Sequence, residues 1–298
     1  MGVFLALLSM LCFASNIIIS RYAMARMKIE PGFLVVLVVN ILFAAALFGI
    51  ELLLRSTPFA FRGKEAGLFA LAGIVGTYLG RRLLFDTVRL LGPARASVFH
   101  SSAPVFTLVA AWVLVGERLG AYELGLMALV MTGLWITQPA SGGAADVHRP
   151  SGLALRRGML MGILTVAGFG VGNAIRGLAM HGWSEAVFGA LAGSVAALAC
   201  QLATMRDYRG TLAELRGASR SGIALYAASG VATVCGSIFI VSAMRYMEIA
   251  LAALVTHTTP LAIFPVSVFV YHNREGLTAR TLFGASMVLA GIVLLALR

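Results

Sequence analysis

The sequence predicts an all-α membrane protein with ten transmembrane helices arranged as two inverted five-helix repeats. Three observations predict it. Of its 298 residues, 60% are hydrophobic and only 12% charged, against roughly 45–50% and 25% in soluble domains. Long apolar runs alternate with short polar breaks along the whole chain. Polar residues of the first half recur in the second at a nearly constant offset. The composition excludes a water-soluble enzyme, a disordered chain and a disulfide-stapled module. Crossings of about 20 residues each leave no room for a soluble catalytic domain.

The runs, punctuated by charge, Pro and Gly, cover residues 2–20, 32–54, 66–88, 96–115 and 121–138, then 158–180, 185–204, 222–244, 249–271 and 279–297. The first lacks a charged leader segment and a small-residue cleavage site, so it is expected to be an uncleaved helix. The longest polar gap, residues 139–157, separates a first repeat (1–138) from a second (158–298). The 23 Lys and Arg against 12 Asp and Glu sit mostly at run ends, which suits headgroup contacts and topology. They form no basic patch interleaved with aromatics, so no nucleic-acid partner is expected. Cys12, Cys200 and Cys235 lie inside apolar runs without metal-ligand spacing and are expected to be packing residues.

Asn16 recurs as Asn173, Arg89 as Arg245, Pro104 as Pro260 and Glu117 as Glu275, at offsets of 157, 156, 156 and 158 residues. An odd number of spans per half makes the second repeat enter the membrane from the opposite side. Secondary transporters are built this way, with the substrate site near the midplane where the repeats meet.

The stretch Ser97 to Gly120, SVFHSSAPVFTLVAAWVLVGERLG, followed by the glycine-bearing span to Ile136, resembles the end of an EamA-type repeat of the drug/metabolite transporter superfamily. Ala250 to Leu277, with Pro260 and Asn273-Arg274-Glu275, resembles a weaker second copy in which Gly-Glu has become Arg-Glu. The resemblance implies a ten-helix carrier whose cavity is lined mainly by spans 1, 3, 4, 6, 8 and 9. It also implies cytoplasmic termini, whereas loop Lys and Arg number 6 on the terminal side and 13 on the other, which puts the termini outside by the positive-inside rule.

Burying an ionisable group costs roughly 2.5–3.5 kcal/mol on insertion scales, so charges inside spans are candidates for function. In the third span Arg82, Asp86 and Arg89 stand at i, i+4 and i+7, one helical stripe, with Arg81 about 100° away. Either the stripe is a positive cavity wall, with Asp86 tuning Arg82 or exchanging a proton, or Arg82 and Asp86 form an internal ion pair while Arg89 snorkels. Arg81 has no acidic neighbour at helical spacing, which favours a role in the cavity or against a partner helix. Asn16, and Asn173 with Arg176, are candidates to bind substrate across the pseudo-two-fold axis. Their alternative is hydrogen bonding between helices.

His100 and His257 precede Pro104 and Pro260. A proline frees the carbonyl four residues back and bends the axis, which makes these two hinge candidates. The histidines can carry a coupled proton or simply pack with a hydrogen bond. Among the acidic residues only Asp86 lies well inside a span, so a coupled proton is expected on Asp86, His100 or His257. Glu117 and Glu275 sit at span ends, where capping or an interfacial salt bridge is expected. Gly76 with Gly80, Gly158 with Gly162, Gly189 with Gly193, and the run Gly168 to Gly172 read as close helix packing. No HExxH, GxSxG, CxxC or paired catalytic carboxylates occur, so neither enzyme chemistry nor a cofactor or metal is expected.

The expectation is a secondary active transporter of the bacterial inner membrane, multi-pass, monomeric or homodimeric. It would export a small metabolite, amino-acid-like or anionic, by alternating access. A flippase for a lipid or lipid-linked intermediate is the alternative.

Overall fold

All regular structure among the described residues is helical. The computed structural model describes residues 1–137, 152–205, 207–263 and 278–297. Helices α1 (Gly2–Met24) and α2 (Ile29–Leu54) are single apolar rods. The third span is composite: α3 (Gly63–Ala72), a π-helical stretch Gly73–Gly80, and α4 (Arg81–Leu91). Three glycines in GIVGTYLG weaken the α-helical preference of that stretch, and π turns recur at functional sites. The fourth span breaks at Ser102 into α5 (Pro93–Ser101) and α6 (Ala103–Val115). Pro104, which lacks an N–H, stands in the first turn of α6, the helical position where proline is tolerated. Then come α7 (Ala121–Thr137), α8 (Gly152–Gly182), α9 (Ala186–Thr204), α10 (Tyr208–Gly217), α11 (Arg220–Ala243), α12 (Ile249–Thr256) and α13 (Ala279–Ala296).

Eight helical segments are long and apolar enough to cross a membrane, and Ala121–Thr137 and Ile249–Ile263 are shorter apolar helices. The chain is a multi-pass membrane protein. Helix α8 begins at Gly152, inside the polar gap 139–157. The short helix α10 was not foreseen: charges at Arg209, Glu214 and Arg216 disqualify it as a span. Its N-terminus is nevertheless capped by Asp207, whose Oδ1 accepts from the Gly210 N–H at 2.8 Å, and Leu215 packs against the buried Met27, Val36 and Tyr226 cluster. The later part of the ninth expected span, with Asn273, Arg274 and Glu275, lies outside the described residues.

Helix pairs meet where glycine removes the side chain from between them. Gly73 lies against the Gly193 backbone between the π stretch and α9, Gly133 against Gly284 between α7 and α13, and Gly32 against the Tyr226 ring between α2 and α11. The main partnerships are α1 with α11, α8 with α3, the π stretch and α4, α6 with α8, α12 with α1, α2 with α9 and α11, α9 with α3 and the π stretch, and α7 with α13. At one end of the bundle Phe48, Phe59, Phe61, Trp183 and Phe188 form an aromatic cluster, with ring centroids 5.0–6.0 Å apart. Beside it Arg55 bridges Glu51 at 2.9 Å and Glu185 at 2.7 Å.

Candidate substrate site

Two arginines from opposite halves of the chain approach each other in the bundle interior. Gly172 of α8 lies on Gly76, where a Cβ would come within 2.8 Å of the Gly76 Cα, and Gly168 lies on Gly80. This close crossing puts Thr77 of the π stretch beside Arg176, whose Nη2 donates to the Thr77 Oγ1 at 2.8 Å. The Arg176 Nη1 donates to the Oδ1 of Asn173, one turn earlier, at 3.1 Å. Asn173 is buried. Arg81 opens α4, directly after the π stretch, with its guanidinium carbon 5.5 Å from the centre of the Phe33 ring. It lies within electrostatic reach of both Arg176 and His100.

The two histidines join this group. The rings of His100 and His257 are 5.0 Å apart at an interplanar angle of 63°, and Phe169 meets His100 edge-on at 5.1 Å. His100 ends the short α5 and His257 caps α12, so the helix breaks beside Pro104 and Pro260 are what bring the rings together. The Nδ1 of His100 is buried without a hydrogen-bond partner among the described residues. Arg81, His100, Arg176 and His257 lie deep in the bundle, yet each retains accessible surface. Side chains lining an internal cleft have that combination. The grooves lined by Leu34, Leu198 and Tyr208 and by Glu51, Arg55 and Val187 share no lining residue with this group.

Not every sequence candidate is here. Arg82 is exposed, and the Arg82 to Asp86 ion pair does not form. Asp86, with 45% of its side chain accessible, faces Arg89 at 4.0 Å instead. Arg81 and Arg82 point about 100° apart on one helix, and packing against Phe33 turns Arg81 inward. Asn16 is held at the α1–α11 seam, where its Oδ1 accepts from the Ser229 hydroxyl at 2.5 Å and the Ser20 hydroxyl at 3.2 Å. Thr77, Phe33 and Phe169 were missed. Thr77 was legible as a hydroxyl one turn before Arg81, whereas nothing in the sequence marks Phe33 as an arginine's neighbour.

Glu117 has the role expected at a span end. Gly116 adopts φ 75°, the left-handed conformation that ends α6. The turn delivers the Glu117 carboxylate to the N-terminus of α12, where it accepts from Ile249 N at 2.9 Å and Ala250 N at 3.2 Å. Burial pushes its carboxyl above the usual carboxylate range, and those two N–H groups partly oppose the shift.

The Gly-Glu turn after α6 and the break at Ser102 beside Pro104 fall in the first half of the chain. Residues 1–138 match the model of the EamA-like transporter family. No curated protein matches in sequence. Among 28 matching chains of solved structures, one crystal structure aligns with 99% of this chain and 96% of its own at a TM-score of 0.71 and 14% identity. The EamA-matched half and the half outside that match thus lie within one shared fold.

Proposed function

We propose that the chain is a secondary transporter of a small anionic metabolite, bound between Arg81 and Arg176. One observation carries the reading: these two guanidiniums share the bundle interior, and neither meets a carboxylate among the described residues. Arg176 has only the neutral oxygens of Thr77 and Asn173, and Arg81 has a ring face. Buried charge is expensive unless it is paired, so an anionic ligand is the partner that makes this arrangement stable.

The packing supports ten spans in two inverted repeats. Advancing every span by five exchanges the helix partnerships: α1 with α11 becomes α8 with the third span, α6 with α8 becomes α12 with α1, and α2 with α11 becomes α9 with the third span. The pairs α2 with α9 and α7 with α13 map onto themselves. A two-fold relation produces that pattern, and with five spans per repeat it is an inverted one. In this reading Pro104 and Pro260 are repeat-related hinges, and alternating access exposes the arginine pair to either side. Export across a bacterial inner membrane is the direction we adopt. A flippase would set its arginines along a groove open to lipid, whereas Arg81 and Arg176 pack among Phe33, Thr77 and Asn173.

The test is uptake by proteoliposomes of radiolabelled benzoate, succinate, inorganic phosphate and a cationic amine, beside transbilayer movement of a fluorescent phospholipid. Anion uptake that is lost in both Arg81→Ala and Arg176→Ala supports the reading. Lipid movement or amine uptake without anion uptake contradicts it.

A further inference from the structure

We propose that His100 and His257 together hold the coupling proton, one proton for the pair, taken up with the anion. The inference rests on the anion-carrier reading and assigns its coupling chemistry. The rings come from opposite halves of the chain, touch at 5.0 Å, and adjoin the breaks before Pro104 and Pro260. The pair therefore sits where the halves must move against each other. Among the described residues the buried Nδ1 of His100 has no hydrogen-bond partner, so one site in the pair is left open to a proton or to a group that follows it.

The charged surroundings fix the stoichiometry. Arg81 faces His100 from α4, His257 faces it from the end of α12, and Phe169 closes the α8 side. Arg176 lies within electrostatic reach of Arg81. Helix α6 carries no titratable side chain, and Tyr122 and Glu123, the titratable residues of α7, lie in that helix's first turn. Helices α1 and α11, which also pack on α12, carry no acidic residue, so among the described residues the charged groups facing the pair are positive. Two imidazolium rings in contact beside an arginine repel one another strongly in a medium of low dielectric, so the pair takes at most one proton. An anion on Arg81 cancels the nearest positive charge and makes that one proton favourable. By linkage, protonating the pair strengthens anion binding equally. A monoanion then moves together with a proton, and the site's net charge is unchanged by loading. Asp86, half-buried and facing Arg89 on α4, takes no part.

The experiment is isothermal titration calorimetry of the full chain in phosphatidylcholine nanodiscs, with benzoate and succinate as probes. It runs over about two pH units above the ordinary carboxylate range, in two buffers of different ionisation enthalpy. About one proton enters with each anion, and affinity falls about tenfold per pH unit. In the double variant H100Q/H257Q the anion still binds but its affinity no longer depends on pH, whereas Asp86→Asn keeps the wild-type dependence. Uptake of no proton or of two by the wild-type chain overturns the proposal without recourse to any variant. So does a dependence that survives in the double variant or vanishes in Asp86→Asn. A wild-type chain that binds neither probe overturns the anion reading itself, a separate result from pH-independent binding.

Discussion

Gly172→Ala tests whether the site is set by the close crossing of α8 and the π stretch. A Cβ at residue 172 would stand 2.8 Å from the Gly76 Cα and 3.0 Å from its N. Ordinary contact begins near 3.4 Å, and backbone cannot rotate aside as a side chain can, so the helices must part by about 0.6 Å. Overpacking of this kind costs about 1–3 kcal/mol. The same movement lengthens the 2.8 Å bond from Arg176 to Thr77 to about 3.4 Å, where a hydrogen bond retains little strength. Gly125→Ala is the control: Gly125 is exposed on α7, and nothing lies within 4 Å of its Cβ position. There the methyl group meets no obstacle, and restricting the backbone gains about 0.5–1 kcal/mol. Equilibrium unfolding of both variants in mixed micelles, with benzoate titrated into each, gives the comparison. The account requires opposite signs in stability and weakened anion binding only in Gly172→Ala. Equal effects, or full binding in Gly172→Ala, would refute the reasoning.

Further outcomes follow from the same geometry. Arg81→Ala and Arg176→Ala each weaken anion binding by about tenfold or more, the value of a hydrogen bond to a charged group, and Arg82→Ala leaves it unchanged by calorimetry. Glu117→Ala removes the cap of α12 and costs about 0.5–2 kcal/mol in an unfolding titration. Because burial raises the Glu117 carboxyl above its unfolded value, its contribution is present below the unfolded carboxylate range and is lost as pH rises through the raised one. The melting temperature of the wild-type chain, measured against that of Glu117→Gln, therefore declines across that interval; a flat difference contradicts the assignment. Ser229→Ala leaves Asn16 with only its longer bond to Ser20 and costs roughly 0.6 kcal/mol, typical of hydrogen bonds between membrane helices.

The spans were legible because hydropathy depends on composition alone. The break before Pro104 was legible because proline acts on its own helix. The small-residue pairs also read correctly: Gly76, Gly80, Gly158, Gly162, Gly189 and Gly193 all lie at close contacts. Facing was harder. Periodicity shows that Arg81 and Arg82 diverge, but which of them turns inward depends on the π turn and on Phe33, two spans' worth of tertiary context. Asn16 and Asn173, 157 residues apart in the two halves, bond differently, because α11 offers Ser229 to the first while Arg176 follows on the same helix as the second. Contact between His100 and His257 required both helix breaks at once, and α10 was hidden by its charge.

The central claim is that one anion is held between arginines from the two halves of the chain. An anomalous difference map from crystals of the full chain soaked with para-bromobenzoate tests it most directly. The account predicts a bromine peak in the bundle interior, with the carboxylate within hydrogen-bond reach of both Arg81 and Arg176. A carboxylate seated on Arg82 and Arg89, or an interior without a peak, would contradict it.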